Sequence, residues 1–359
     1  MATTPNAVPA GGTLRGRGAA VNPGNRFDPV RYERHPDLDP EDTVAPGTQL
    51  LKDTSRSILS KNTSPDVPFT YSFNPYRGCE HGCVYCYARP THEYLGFSAG
   101  LDFETRILVK ENAAALLRKE LARPGWEPQA VALSGNTDPY QPAERELGIT
   151  RGCLEVLLDF RNPVGIITKS RLVTRDIDVL RELAAFDAVS VTLSITTLDA
   201  GLAAVMEPRA ASPGRRLDAV RRLSEAGIPV GVNVAPVVPG LTDHEIPSII
   251  RAAAEAGAER AGWIMLRLPH GVRMLFEDWL RRHRPARADK VLNRIRHIRG
   301  GDLNDSRYAT RMRGEGIFAR EIEALFRLAC RHTGLDARRY RPLSSRHFRR
   351  RAVEQISLF

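Results

Sequence analysis

The sequence has no long apolar run, either in its first residues or further along the chain, and this absence bears on where we expect the protein to act. No stretch approaches the roughly 20 consecutive apolar residues that a membrane-spanning helix needs. The first 24 residues are rich in Gly and Pro, carry scattered arginines and lack the apolar core of a signal peptide. We therefore expect a cytoplasmic protein that does not insert into membranes.

Cysteine is also scarce: only five of the 359 residues are cysteine. An odd number, three of which fall within eight residues, does not suit the disulfide framework of a small secreted domain. That spacing is instead typical of a metal or cluster site in a reducing compartment. The three clustered residues are Cys79, Cys83 and Cys86, whereas Cys153 and Cys330 stand alone.

Positive charge is unevenly distributed along the chain. Residues 271–359 contain 22 Lys and Arg against 10 Asp and Glu, so the whole excess behind the net charge of +10 lies in this last quarter. A polyanion such as DNA would be attracted to this region, since phosphate neutralisation drives non-specific nucleic-acid binding. An arginine-rich surface that only aids solubility explains the charge equally well.

The central part of the chain alternates short apolar strands with amphipathic helices. Six strands rich in β-branched residues are predicted, at 69–74, 130–135, 164–168, 188–195, 229–236 and 262–268. Helical patterns join them, at 104–123, 144–160, 174–185, 213–226 and 243–256. Strands joined by single helices pair in parallel, and six are too few for a closed eight-stranded barrel. We predict an α/β fold with an open, partial parallel β/α barrel of about six strands.

The flanking regions differ from this barrel, which we place at residues 66–270. Residues 1–65 lack periodicity and are rich in Pro, Gly, Asp and Asn, so they predict a partly disordered N-terminal arm. Residues 271–352 predict a basic, mainly helical C-terminal extension, and 353–359 form a tail. Polar clusters follow the apolar strands of the barrel. Because chemistry in β/α barrels lies at the carboxyl ends of strands, these clusters predict a site there.

The cysteine segment follows the first predicted strand. It reads Asn74-Pro-Tyr-Arg-Gly-Cys79-Glu-His-Gly-Cys83-Val-Tyr-Cys86. Three thiolates at these spacings can hold a small iron–sulfur cluster, and they leave one iron free to bind a substrate or cofactor. Zinc with His81 or His92 as the fourth ligand is the alternative, although zinc motifs usually contain paired Cys-x-x-Cys units and no second pair is present.

The pattern Cys-x-x-x-Cys-x-aromatic-Cys after a first strand resembles the radical S-adenosylmethionine (SAM) superfamily. Three further segments resemble its bacterial branch related to spore photoproduct lyase: Ala88-Arg-Pro-Thr-His92, Thr137-Asp-Pro-Tyr-Gln-Pro-Ala-Glu144 and Ile167-Thr-Lys-Ser170. The resemblance covers about residues 69–268. It implies a [4Fe–4S] cluster held by the three cysteines, with SAM on the fourth iron. An electron from flavodoxin or ferredoxin would cleave SAM and yield a 5′-deoxyadenosyl radical, which abstracts a substrate hydrogen.

The same resemblance implies roles for five further residues. Thr137 would hold the SAM amino group, Lys169 would face the SAM carboxylate, and Ser194 would lie beside the ribose or carboxylate. Tyr85 and Tyr87 match tyrosines that assist hydrogen transfer in photoproduct lyases. The alternatives are a surface lysine for Lys169, an ordinary turn for Thr137, and packing around the cluster for the two tyrosines.

One departure from the lyase pattern bears on the reaction. Photoproduct lyases carry a hydrogen-donor cysteine where this sequence has Gly135-Asn136. Cys153 falls in a predicted helix and is expected to be a small buried apolar residue. The pattern therefore favours a related radical reaction over repair of a thymine photoproduct by the same route.

The last five residues, from Gln355 to Phe359, resemble the pentapeptide by which bacterial repair proteins dock on the sliding clamp. A tail packed on its own domain is the alternative. Together the patterns predict a lyase-like radical SAM enzyme acting on nucleic acid, in DNA repair or base modification. The alternatives are a radical SAM enzyme acting on a small molecule, peptide or RNA, and a non-catalytic, zinc-stabilised nucleic-acid-binding protein.

Overall fold

A computed structural model describes residues 14–28, 47–308, 310–335 and 342–350. The strands are β1 Gln49–Lys52, β2 Leu59–Lys61, β3 Tyr71–Phe73, β4 Tyr76–Arg77, β5 Arg106–Val109, β6 Val131–Leu133, β7 Val164–Thr168, β8 Val189–Ser194, β9 Val230–Val237 and β10 Arg260–Met265. The helices are α1 Leu101–Thr105, α2 Ala113–Ala122, α3 Glu144–Leu147, α4 Ile149–Phe160, α5 Ile177–Ala184, α6 Ala200–Met206, α7 Pro213–Glu225, α8 Ile246–Glu255, α9 Val272–His283, α10 Pro285–Ile298 and α11 Gly316–Thr333.

The main sheet has seven strands in the order β10-β9-β8-β7-β6-β3-β2. Its six strands from β3 to β10 pair in parallel, and β2 adds to β3 in antiparallel orientation. Helices cover the sheet, so strands such as β8 are buried on both faces, as their Val-rich sequences require. The predicted partial parallel β/α barrel is confirmed, and each of the six predicted strands forms.

Two predicted helices are interrupted. The segment 104–123 contains α1 and α2 but also β5, because Arg106-Ile-Leu-Val109 pairs with β1 and β4 in a separate small sheet. The segment 144–160 is broken at Gly148, which adopts a left-handed φ of 63° between α3 and α4. Periodicity alone did not reveal β5, since its pairing partners lie outside the barrel pattern.

The flanking regions hold ordered elements in their described parts. Ala19 of the segment 14–28 packs with Cys83 and Val84 of the cysteine segment, and β1 and β2 both lie before residue 66. The C-terminal extension contains α9, α10 and α11, and its Arg311 forms a two-bonded ion pair with Asp66 beyond β2. The clamp-like pentapeptide lies outside the described residues. No helix in the described ranges is long and apolar enough to cross a membrane.

Candidate active site

The three clustered cysteines lie in one loop, residues 78–87, which we call the cysteine loop. It follows β4 near the carboxyl end of β3. The Cys79 and Cys83 side chains are buried, Cys86 is half-buried, and all three are free thiols. The Cys79 amide donates to the Phe103 carbonyl at 2.8 Å, which fixes the start of the loop. Three thiols are therefore presented together on a single short segment.

Two glycines let the cysteine loop fold this tightly. Gly78 and Gly82 have left-handed φ angles of 81° and 64°. A Cβ on Gly82 would lie 2.7 Å from a carboxylate oxygen of Glu104, and one on Gly78 would lie 3.0 Å from the Phe103 carbonyl oxygen. Larger residues would strain the backbone and collide with α1, so both positions require glycine.

The donor chemistry of the loop fits an iron–sulfur cluster. Burial raises the pKa of the Cys79, Cys83 and Cys86 thiols, so without metal they hold their protons. Bound iron would displace those protons, because cluster ligands are thiolates. The three thiols have no disulfide partner that would compete for them. The residues present therefore suit the group that the sequence pattern implies.

The zinc alternative finds no support in this geometry. Within the described ranges, no three Cys, His, Asp or Glu side chains are arranged to hold one metal ion. His81 Nδ1 lies 3.3 Å from Asp138 Oδ2, and the buried His92 ring packs between Phe97 and Phe103. Neither histidine joins the cysteines as a fourth ligand.

A buried ionic network lies against the cysteine loop at the carboxyl ends of β7 and β8. Glu207, which is 2% exposed, accepts hydrogen bonds from Tyr85, Arg216 and Thr196, and its carboxylate lies 3.1 Å from Lys169 Nζ. Burial alone would raise the pKa of Glu207, but the Arg216 and Lys169 cations hold it well below its usual range. The network thus carries two cations and one anion.

The sequence analysis named Tyr85 and Lys169 as candidates but did not identify the residues that contact them in this network. Glu207 directly follows α6, and Arg216 lies in the first turn of α7. No short sequence motif links either residue to the cysteines. Thr196 was within reach, since it follows β8 as one of the polar residues at a strand end. Only the long-range fold brings these groups together, so their pairing could not be inferred from spacing.

The remaining predicted SAM residues lie at the ends of neighbouring strands. Thr137, beyond β6, donates its hydroxyl to the Tyr76 carbonyl at 3.2 Å and lies 3.3 Å from Asn74 Oδ1. Ser194 ends β8, is buried, and its carbonyl accepts from Arg216 Nη1 at 2.9 Å. With Lys169 after β7, the three residues lie along one edge of the sheet.

Tyr87 has a different environment from Tyr85. It is 46% exposed, its hydroxyl donates to the Gly135 carbonyl at 2.6 Å, and the Arg267 guanidinium lies 4.9 Å from its ring centre. Tyr87 therefore lies beside Gly135-Asn136, where no thiol is present. Cys153 is fully buried within α4, which confirms its expected role as a core residue.

The N-terminal residues 14–28 form a strap over the cysteine loop. The Gly18 and Ala19 amides donate to the Glu104 carboxylate at 3.0 and 2.8 Å. Glu104 is also paired with the fully buried Arg89, whose Nε donates to the Cys83 carbonyl at 2.9 Å. Through these contacts the strap, α1 and the loop hold one another in place.

Substituting Gly18→Ala should loosen the strap. The added Cβ would stand 1.8 Å from the Gly82 carbonyl oxygen, which cannot move far in the crowded loop. We expect the free energy of unfolding to fall by about 1–3 kcal/mol, as for other overpacked sites. The loop thiols should also react faster with a thiol reagent. Gly24→Ala is the matched control, because its Cβ meets nothing within 4 Å. Equal thiol reactivity in both variants would contradict a role for the strap.

An open parallel β/α barrel with three free cysteines near the carboxyl ends of its strands is the framework of a cofactor-dependent enzyme. The sequence profile of the Radical SAM superfamily matches residues 73–253, half of the chain. An uncharacterised protein of Mycobacterium bovis is 38% identical over 276 residues, covering 76% of this chain and 78% of that protein. One from Methanocaldococcus jannaschii is 31% identical over 197 residues, covering 55% and 71%. The chain belongs to the radical SAM superfamily, whose cofactors are a [4Fe–4S] cluster and SAM.

Solved structures of spore photoproduct lyase share this fold. One mutant of the lyase matches with a TM-score of 0.51 and 16% identity, over 79% of each chain. Another mutant, solved with bound AdoMet and dinucleoside spore photoproduct, also has a TM-score of 0.51 and 16% identity, over 79% of this chain and 78% of the lyase. The likeness extends beyond the matched profile into the C-terminal part of the chain.

Proposed function

We propose that this protein binds its cluster through Cys79, Cys83 and Cys86, cleaves SAM reductively and directs the resulting radical at a nucleic-acid substrate. The observation that carries the proposal is the set of three free thiols on one glycine-hinged loop at the strand ends. The bound cluster supplies the electron that cleaves SAM. The protein supplies thiolate ligands, a buried setting and a fixed orientation.

The ionic network gives this site a charge suited to SAM. Lys169 and Arg216 share the single carboxylate of Glu207, so one positive charge remains uncompensated. Lys169 is the more accessible cation, since its side chain is 15% exposed and that of Arg216 is 1% exposed. A carboxylate such as that of SAM would be attracted to Lys169, while Thr137 and Ser194 offer hydroxyls on the adjacent strands.

The preference for nucleic acid rests on two features. Tyr87 presents an exposed ring backed by Arg267, and bases extruded from a strand stack on such surfaces. The C-terminal extension contributes the basic residues that would meet phosphates. A lyase of the same fold has been solved with a dinucleoside photoproduct, which agrees with this choice. The absence of a thiol at Gly135-Asn136 favours base modification, or a repair route with another hydrogen donor.

Replacing Lys169 should weaken SAM binding without removing the cluster. Loss of a charge-assisted contact of about 1.5–3 kcal/mol corresponds to a roughly 10- to 100-fold higher Kd for SAM in Lys169→Ala. Equilibrium binding of labelled SAM to the cluster-loaded protein measures this. Lys61→Ala, an exposed lysine on β2, should bind SAM as the wild type does. Unchanged affinity in Lys169→Ala would remove that residue from the SAM site.

The substrate class is tested by assaying SAM cleavage in parallel with damaged DNA, with tRNA and without substrate. We expect 5′-deoxyadenosine to form faster with one of the nucleic acids, and hydrogen transfer from that substrate to appear as label in the product. Stimulation by neither nucleic acid would contradict the substrate assignment and favour a small molecule or peptide.

Truncation before residue 271 should abolish salt-dependent DNA binding if the C-terminal extension holds the DNA. Docking of the tail, from Gln355 to Phe359, on the sliding clamp remains a prediction that a pull-down without residues 354–359 would test.

A further inference from the structure

A cleft of about 390 Å³ beside the cysteine loop is lined by six arginines and no carboxylate residue. The arginines come from the segments that follow β6, β7 and α6 and from α7: Arg145, Arg171, Arg175, Arg209, Arg215 and Arg222. His81, which lies between Cys79 and Cys83 in sequence, also lines the cleft. We call this feature the arginine cleft. None of the roles assigned so far to the active site uses it.

Three of these six arginines form ion pairs with carboxylates that do not themselves line the cleft. Arg171 pairs with Asp218, Arg175 with Glu144 and Asp176, and Arg209 with Glu80. The other half, Arg145, Arg215 and Arg222, are exposed and have no ion pair or side-chain hydrogen bond among the described residues. The arginine cleft is therefore a concave surface with three guanidinium groups free to meet an anionic partner.

The arginine cleft touches the cysteine loop at His81, between Cys79 and Cys83. Arg209 lies 3.1 Å from a carboxylate oxygen of Glu80, and its amide donates to the His81 carbonyl. Tyr87, at the other end of the loop, faces Gly135 and Arg267 instead. In the proposed function the substrate stacks on Tyr87, so a third participant has to approach the cysteines at another part of the loop.

We propose that the arginine cleft is the docking surface for an acidic one-electron carrier protein such as flavodoxin. The inference rests on the proposed function, because a carrier is needed only if the cysteine loop holds a reducible cluster. In the transfer the carrier loses one electron and the cluster gains it, and no bond is made or broken. Carboxylates on the carrier would pair with Arg145, Arg215 and Arg222, which steers the encounter and places the carrier against Glu80 and His81.

Reversing the three free charges tests this directly. In Arg145→Glu/Arg215→Glu/Arg222→Glu, we expect the Kd for an acidic flavodoxin at low salt to rise about tenfold or more, measured by titration with the cluster-free protein. Flavodoxin-driven 5′-deoxyadenosine formation should fall by a similar factor. The rate with reduced methyl viologen, a small cation that needs no docking surface, should not fall. The matched control is Arg181→Glu/Arg221→Glu/Arg251→Glu, which changes the net charge equally at exposed arginines outside the cleft.

The remaining outcomes are also decisive. Carrier binding and carrier-driven rates that match the control variant would overturn the proposal. Loss of oligonucleotide binding with unchanged carrier binding would assign the cleft to nucleic acid and overturn it as well. If methyl viologen yields no 5′-deoxyadenosine even in the wild type, the proposed function fails, and the titration with flavodoxin still decides whether the cleft binds the carrier.

Discussion

Cys83→Ala is expected to abolish both cluster binding and SAM cleavage. A cluster with only two remaining protein thiolates, those of Cys79 and Cys86, lacks the ligands that hold it. Anaerobically reconstituted protein should lose its absorption near ~400 nm. Formation of 5′-deoxyadenosine should fall by at least about 10³-fold, a loss of roughly 4 kcal/mol of barrier lowering.

The control for this substitution is Cys330→Ala. Cys330 is buried in α11, outside the cysteine loop, and its replacement removes a thiol without removing a loop ligand. Its cost should be limited to the modest destabilisation of a small core cavity, about 1 kcal/mol. Equal loss of cluster in Cys330→Ala and Cys83→Ala would mean that the cysteine loop has no special role.

Glu207→Gln is expected to be the most destabilising single change near the site. It leaves Arg216, whose side chain is 1% exposed, as a buried cation without its carboxylate. Breaking a buried ion pair from one side costs about 3–5 kcal/mol, so the free energy of unfolding measured in urea should fall by that amount. A surface carboxylate provides the comparison: Glu323, paired with Arg327 on α11, should contribute less than about 1 kcal/mol in Glu323→Gln.

The pH dependence of this effect has a definite sign. Because the folded protein lowers the pKa of Glu207, the ionised carboxylate stabilises the fold above the pKa of the unfolded chain, about 4.3. That contribution is lost as the pH falls toward the folded pKa. The stability gap between the wild type and Glu207→Gln should therefore be full at pH 7 and shrink as the solution is acidified below about pH 4. A gap that widens on acidification would show that Glu207 is protonated in the folded state.

The sequence predicted those features that depend on interactions between residues close together in the chain. Short apolar runs rich in β-branched residues predicted all six parallel strands, and β7 has the bounds that its Val-Gly-Ile-Ile-Thr run indicates. The cysteine spacing predicted a site after the first strand of the barrel, and a tight loop forms there with left-handed Gly78 and Gly82. These features depend on neighbours in sequence, which a single chain reveals.

The features that sequence reasoning missed depend on distant segments. β5 is a strand because β1 and β4 pair with it, and the pairing overrides the helical periodicity of its surroundings. Glu207 and Arg216 become a buried pair only when α6 and α7 pack beside the loop. Thr242 and Glu245 have the spacing of a capping box, but Thr242 makes no side-chain capping bond and Glu245 accepts bonds from Thr197 and Leu198. In each of these cases, contacts between segments that are distant in sequence determine the local structure.

The central claim is that the cysteine loop holds a cluster that cleaves SAM. The most direct measurement is the metal content of anaerobically purified protein, followed by 5′-deoxyadenosine formation after reduction in the presence of SAM. We predict a brown protein with about four irons per chain that forms 5′-deoxyadenosine, and neither property in Cys83→Ala. A colourless protein with one zinc per chain and no SAM cleavage would contradict the account.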